Sequence, residues 1–358
     1  MNLSLFTMPL HPPDREYVDV LKEDREAIIL ADQLGFSEAF IGEHITDKAE
    51  PITSCLIFIA SLIDSTNNIK LGSGTVNLPN THPAAVAAQV AMIDNMLEGR
   101  FLFGISPGGL MSDAEIFGNL DNDRTEMFVE SINQILEIWQ NPAPYNIKGK
   151  YWNITTEKNY VEETGQGVIV TPFQKPHPPI VVTVVAPFSK GILAAAERGW
   201  QPISANFLQP NWVASHWPMY KQGCEQGGFE AKPENWRVAK SIFVADDEKT
   251  AQEYGKGADG PYHFYFEQIM KKLIGNGRPN IFKHDIDMAD SDVTLEYVLD
   301  SLVISGTVES VVEQIESFKD TIGDFGTLVY AAHDWVNPEL SKRSMELMAN
   351  EVMPQLNK

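Results

Sequence analysis

Ile69-Lys-Leu-Gly-Ser-Gly-Thr-Val-Asn-Leu78 is followed by Pro83, a helix-length segment closed by Gly99, and Arg100-Phe-Leu-Phe-Gly-Ile105; this stretch decides the fold class. Ile69 to Leu78 is rich in glycine and β-branched residues and reads as a strand. Pro83 stands where a helix tolerates proline, at its first turn, and Gly99 supplies the stop. Arg100 to Ile105 is then a second strand. A strand, a helix and a strand in one direction form the unit of a parallel sheet.

The same alternation extends both ways. Upstream, Leu3–Met8 reads as a strand, the segment from about Asp14 to Gly35 as a helix, Ser37–Gly42 as a strand and Pro51–Ile63 as a helix. Downstream, Met127–Trp139 has a helical stripe in Phe128, Ile132, Ile135, Leu136 and Trp139. Strands are expected at Ile180–Val185, Gln201–Ala205, Arg237–Ala245 and Phe325–Ala331, with helices at Ser189–Arg198, Trp212–Glu225, Val308–Ile322 and Pro338–Val352. Two segments interrupt the rhythm. The first, about 141–179, holds six prolines and several aromatics; the second, about 246–301, is mostly helical with a loop near 275–285. Eight strand–helix repeats predict an α/β fold, a (β/α)8 TIM barrel with insertions after strands 4 and 7, as a single domain over 1–358. An open doubly wound sheet would place a glycine-rich turn after its first strand. Pro9-Leu10-His11-Pro12-Pro13 stands there instead.

The chain has 358 residues, with 27 Lys and Arg against 49 Asp and Glu, a formal charge of −22. That balance disfavours nucleic acid and anionic membranes as partners. Cys55 and Cys224 lie far apart and belong to no metal-type cluster, which argues against a disulfide framework or a zinc site and fits a reducing cytoplasm. The N-terminal residues read as a first strand rather than a secretory signal.

In a barrel of this type, chemistry sits on the loops after the strands. Those positions hold Glu43-His44, Gly74-Thr75 with Asn77, Ser106-Pro107-Gly108-Gly109, Ser189-Lys190-Gly191 and His333-Asp334-Trp335. Each has an ordinary reading as well. Adjacent strand residues point to opposite faces, so one of Glu43 and His44 is expected to face the mouth. His82 reads as a helix start. Ser189 is an N-cap candidate whose neighbours also offer amides to an anion. Arg124 fits a surface role or a phosphate contact. Phe6, Met8, Leu110, His333 and Trp335 lie at strand ends and form either the top of the core or the wall of an apolar substrate pocket.

The run 69–83, continuing through Asp94-Asn-Met-Leu-Glu-Gly-Arg100, resembles the signature of the bacterial luciferase-like flavin-dependent monooxygenases, and its limonene monooxygenase-type members most closely. Phe6-Thr-Met-Pro-Leu-His-Pro-Pro13, Gly104-Ile-Ser-Pro-Gly-Gly-Leu110 and, near the end, Phe325-Gly-Thr-Leu328, His333-Asp-Trp335, Arg343-Ser-Met345 and Val352-Met-Pro354 extend the likeness along the whole chain. The resemblance implies a homodimeric oxygenase that takes reduced FMN from a separate NAD(P)H-using flavin reductase and activates O2 at the flavin C4a carbon. It implies His44 as the catalytic histidine, Gly74-Thr75 as a cis peptide beneath the flavin ring, and Asn77, Ser106 and Gly108 around it. The phosphate would fall to Ser189, Lys190 and Gly191 with Arg124, because Pro107 stands where luciferases carry a phosphate-binding arginine. Ser106 replaces their cysteine, and both changes argue against light emission. The substrate is expected to be a small, largely apolar molecule. Tyr262, His263 and Phe264 are candidate lid residues. Competing readings are an F420-dependent dehydrogenase on the same barrel, a non-catalytic flavin-binding partner subunit, and a metal-dependent hydrolase using His44 and His333; no metal-ligand spacing favours the last.

Overall fold

The computed structural model describes residues 1–275 and 277–358; part of the loop read at 275–285, residue 276, lies outside the described residues. Eight parallel strands close on themselves: β1 (Asn2–Thr7), β2 (Glu38–Ile41), β3 (Lys70–Ser73), β4 (Phe101–Ser106), β5 (Ile180–Val184), β6 (Gln201–Ser204), β7 (Arg237–Val244) and β8 (Thr327–Ala331). Closure is made where β1 pairs with β8, with Asn2 opposite Thr327 and Phe6 opposite Ala331. That pairing rules out the open sheet.

Side chains alternate in and out along each strand. Phe40, Leu102, Val181, Ile203, Ala239 and Val329 form one inward-facing cluster. Beneath it Arg237 meets Glu38 in a two-pronged ion pair, Nε to Oε2 at 2.6 Å and Nη2 to Oε1 at 2.7 Å. The guanidinium also lies 5.6 Å from the centre of the Phe40 ring. This plug is a packed floor, so the barrel is no pore. Two glycines are required by close approach. A Cβ on Gly104 would stand 1.8 Å from the Ser73 carbonyl, and one on Gly72 would stand 2.7 Å from the Phe40 ring. The outer faces bury their apolar side against the ring of helices, in a core that includes Val86, Val90, Ile132, Ile135, Val311 and Ile315.

Three local readings change. The expected helix 51–63 is confined to Cys55–Ala60, capped by Ser54, so residues 42–54 form a long loop over the barrel mouth. The segment 246–301 is followed by a strand absent from the sequence reading, Val303–Gly306, which pairs with the outer half of β7 from Ser241 to Val244. Four apolar and small residues between two helices carry too little periodicity to be told from helix. The strand read at 69–78 is broken at Ser73 and resumes at Val76–Asn77. Between them the Gly74–Thr75 peptide is cis.

Among the described residues no helix is long and apolar enough to cross a membrane.

Candidate active site

A cavity opens at the C-terminal mouth of the barrel. Its floor is apolar, from Phe6, Met8, Ile203 and Ala239; its polar wall comes from Glu43, His44, Gly74, Thr75, Asn77 and Ser106, with Gly109 and Leu110 beside them. Its roof is helix Pro261–Gly275, which contributes Tyr265, Ile269, Lys272 and Leu273, followed by Arg278.

Glu43 and His44 both line the cavity, contrary to the alternation argument. The reason is local: β2 ends at Ile41, so alternation has ceased by residue 43. Glu43 is used structurally. Its carboxylate accepts from the amides of Cys55 (3.0 Å) and Asn77 (3.1 Å) and so pins two loops together. Among the described residues His44 is held at one nitrogen: Nδ1 lies 3.0 Å from Asp113 Oδ2. Asp113 itself accepts from the amide of Thr46 at 2.9 Å and its hydroxyl at 2.5 Å. Burial opposes its charge, yet the hydrogen bonds from His44 and Thr46 draw its pKa down to about 2.

On the other side of the ring, His44 Nε2 is 3.8 Å from Glu50 Oε2. That is beyond hydrogen-bonding distance and leaves the nitrogen free to meet a ligand. Lys272 descends from the roof to Glu50, 2.8 Å away, and also pairs with Asp47. Burial works against a charge on His44, but the Asp113 hydrogen bond and the Glu50 and Asp113 carboxylates outweigh it, and the pKa is raised above the ordinary histidine value. Asp113, Glu50 and Lys272 were missed in the sequence. They come from three segments, and nothing in their local sequence marks them.

A second network runs below. Thr75 Oγ1 donates to Ser106 Oγ (2.7 Å), and Ser106 Oγ donates to Asn77 Oδ1 (2.8 Å). The Gly108 amide donates to Ser106 Oγ at 3.1 Å, with Gly108 at φ +79°. Thus Thr75, Asn77, Ser106 and Gly108 are brought together.

Other expected site residues are not. His333 and Trp335 do not line the cavity. Beyond β8 the chain turns outward and packs behind the barrel wall. His333 sits between Tyr262 (3.1 Å) and Ser341 (3.3 Å), and burial pushes its pKa down to about 4. Trp335 is buried in the helical layer under Lys342. Tyr262 donates to the Ile242 carbonyl at 2.6 Å and is an anchor of the roof helix. The roof residues that face the cavity begin one turn later. Arg124 lies outside the cavity and donates to the Gly108 carbonyl at 3.1 Å, bracing that turn from behind. Ser189 occupies the N-cap position as expected, yet its side chain makes no capping bond. Ser189, Lys190 and Gly191 do not line the cavity. Arg278, unnoticed in the sequence, lines it and donates to the Val185 carbonyl of that same loop at 2.9 Å. His82 is the helix cap expected, accepting from the Ala84 amide.

The profile of the luciferase-like monooxygenases matches residues 1–324. The chain is similar to 2,5-diketocamphane 1,2-monooxygenase 1 of Pseudomonas putida, with 28% identity over 99% of both chains. It is similar to limonene 1,2-monooxygenase of Rhodococcus erythropolis, with 26% identity over 100% of this chain and 87% of that one. Among solved structures it superposes on the oxygenating constituent of 3,6-diketocamphane monooxygenase from Pseudomonas putida, a type II Baeyer–Villiger monooxygenase in complex with FMN. There the TM-score is 0.90 and the identity 26%, over 99% of this chain and 98% of the other. A cavity at the barrel mouth, a half-held histidine and a family match over nine-tenths of the chain lead to one assignment: the chain belongs to the luciferase-like monooxygenases.

Proposed function

We propose that this chain is the oxygenase component of a two-component monooxygenase. It would take reduced FMN from a separate NAD(P)H-dependent reductase and use O2 to oxygenate a small, largely apolar organic substrate, in the first instance a ketone. The observation that carries this reading is His44, held at Nδ1 by Asp113 and presenting Nε2 to a cavity with an apolar floor. The relative solved with FMN is the oxygenating constituent of a larger system, which supports a separate reductase. The homodimer rests on the family resemblance, and the cytoplasmic setting on the two unclustered cysteines, Cys55 and Cys224.

The residues present fit a flavin. An aromatic ring system needs a flat apolar bed and hydrogen-bonding groups at its edge. Phe6 and Ala239 offer the first; Thr75, Asn77, Ser106 and the turn at Gly108 offer the second. A Cβ on Gly109 would meet nothing within 4 Å, so that side of the turn is open to a ligand. The phosphate would go to the loop of Ser189, Lys190 and Gly191, with Arg278 as the nearest cation lining the cavity. Local cations and amides have to overcome the negative charge of the whole molecule. Reduced FMN, when bound, supplies the electrons that activate O2.

The protein's own part is protonic and steric. Against the opposing effect of burial, Asp113 and Glu50 raise the pKa of His44 and favour its imidazolium, which can donate from Nε2. A cationic donor stabilises an oxygen that gains negative charge, as a ketone oxygen does under nucleophilic attack. Asp113 fixes the ring orientation and keeps the charge. Phe6, Met8, Ile269 and Leu273 enclose the substrate and exclude water, which protects an oxygenating agent from loss as hydrogen peroxide. The test is His44→Ala. Product formation should fall by about 10²–10⁴-fold, the usual weight of a positioned acid or base, with flavin affinity nearly unchanged. Full coupling of oxygen to product in that variant would remove His44 from the mechanism.

A further inference from the structure

Lys240 lies on β7 next to Ala239 but on the opposite face. Ala239 lines the active-site cavity, whereas Lys240 points outward beneath helix Val308–Ile322. The residue is 2% exposed. Among the described residues its ammonium makes no hydrogen bond or ion pair; its nearest companion of note is the Phe318 ring, 4.9 Å from Nζ to the centroid. An isolated buried cation is costly, and burial alone pulls this amine down to about 8. Cation–π contact recovers only part of that cost.

The amine is not sealed in. It lies at the base of a cleft, separate from the active site, whose walls include Val303, Ile304 and Phe318 and whose rim holds Asp300, Glu313 and Ser317. Among the described residues Asp300 makes no ion pair with Lys240; it pairs with Lys256 at 3.4 Å. The site therefore offers one buried cation, apolar walls and an acidic rim. A dianion would be repelled at the rim. A monoanion with a short apolar tail meets less of that repulsion and matches the rest: the anionic head meets the ammonium, and the tail lies along Val303, Ile304 and Phe318.

We propose that this cleft is a second ligand site, distinct from the flavin cavity, which binds a short-chain monocarboxylate through Lys240. Its occupancy would fill the unmet hydrogen-bonding capacity of the ammonium and stabilise the folded chain by mass action.

The test is thermal unfolding of the full chain with increasing sodium butyrate, against sodium chloride at equal ionic strength. Lys240→Met removes the head-group partner at similar volume. Ser317→Phe fills the cleft from an exposed helix position and leaves the amine in place. The wild type should gain melting temperature with butyrate above the chloride control. Both variants should lose at least about tenfold in apparent affinity, the equivalent of 1.4 kcal/mol. Without ligand, Lys240→Met should be as stable as the wild type or more so, since it removes an uncompensated buried charge. If Lys240→Met does not fold, Ser317→Phe decides. No butyrate effect in the wild type, or an undiminished effect in either folded variant, overturns the proposal. Flavin binding and oxygenation by Ser317→Phe should be unaltered, so failure here is distinguishable from failure of the proposed activity.

Discussion

Asp113 and His44 are bound to each other at 3.0 Å although 69 residues separate them, and Asp113 is in turn held by the amides and hydroxyl of the residues just after His44. The carboxylate is thereby fixed in orientation and kept ionised, so it acts on the histidine as a permanent charge. Asp113→Asn keeps the shape and removes the charge. The raised pKa of His44 should then fall, with about tenfold less imidazolium at alkaline pH for each unit lost. Steady-state oxygenation rates across pH, with flavin affinity as control, check this.

Glu50 acts on the same ring from the other side, without a hydrogen bond. His44 has a raised folded-state pKa, so activity that depends on its charged form is present at low pH and is lost as pH rises through that pKa. Glu50→Gln should move this alkaline limb to lower pH, because it removes a carboxylate that favours the imidazolium. An unmoved limb would show that Glu50 has no electrostatic hold on His44.

Lys272 ties the roof helix to Glu50 and Asp47. Lys272→Met should loosen the roof where it excludes water. The expected result is a several-fold larger share of consumed oxygen appearing as hydrogen peroxide, measured with a peroxidase-coupled assay at fixed substrate.

At the barrel floor, Glu38→Gln leaves the Arg237 guanidinium buried without its charge partner. Removing one member of such a pair costs about 3–5 kcal/mol. Denaturant unfolding should register that loss. The floor lies below the site, so any folded fraction should retain flavin binding.

His11 supplies a different pH dependence. Its ring is buried between Asp24 and Asp334, with Nδ1 2.5 Å from Asp334 Oδ1 and Nε2 3.3 Å from Asp24 Oδ1. Burial opposes the charge, but the two aspartates raise its pKa to about 9. A raised folded-state pKa means that the stabilisation is complete below about 6.5 and is lost as pH rises through 9. His11→Gln should be less stable than the wild type at pH 6, with the difference shrinking towards pH 10. Melting temperatures of both proteins over that range give the comparison.

The barrel was legible because its signal is local and repeated. Pro83 and Gly99 bracket a helix between two apolar runs, and the same grammar recurs along the chain. That His44, Asn77 and Ser106 would line the cavity was legible because they sit at strand ends, where the architecture opens its mouth. Asp113, Glu50 and Lys272 were not. Their contacts join a loop after β2, a short helix after β4 and the roof helix, and no periodicity encodes such a meeting. His333 and Trp335 misled for the opposite reason. They stand close after a strand end, but the chain there turns to pack on Tyr262, Ser341 and Lys342, and position along a strand does not reveal the direction of the turn that follows. Glu43 illustrates the limit of the alternation rule, which lapses as soon as the strand does.

The most direct test of the central claim mixes anaerobic protein and reduced FMN with oxygenated buffer and follows flavin absorbance in a stopped-flow instrument. A cavity that excludes water around His44 predicts that oxidised flavin returns more slowly with the protein than without it, and that the delay shortens in His44→Ala. Identical traces with and without protein would contradict oxygen activation at this site and return weight to hydride transfer with F420 on the same barrel.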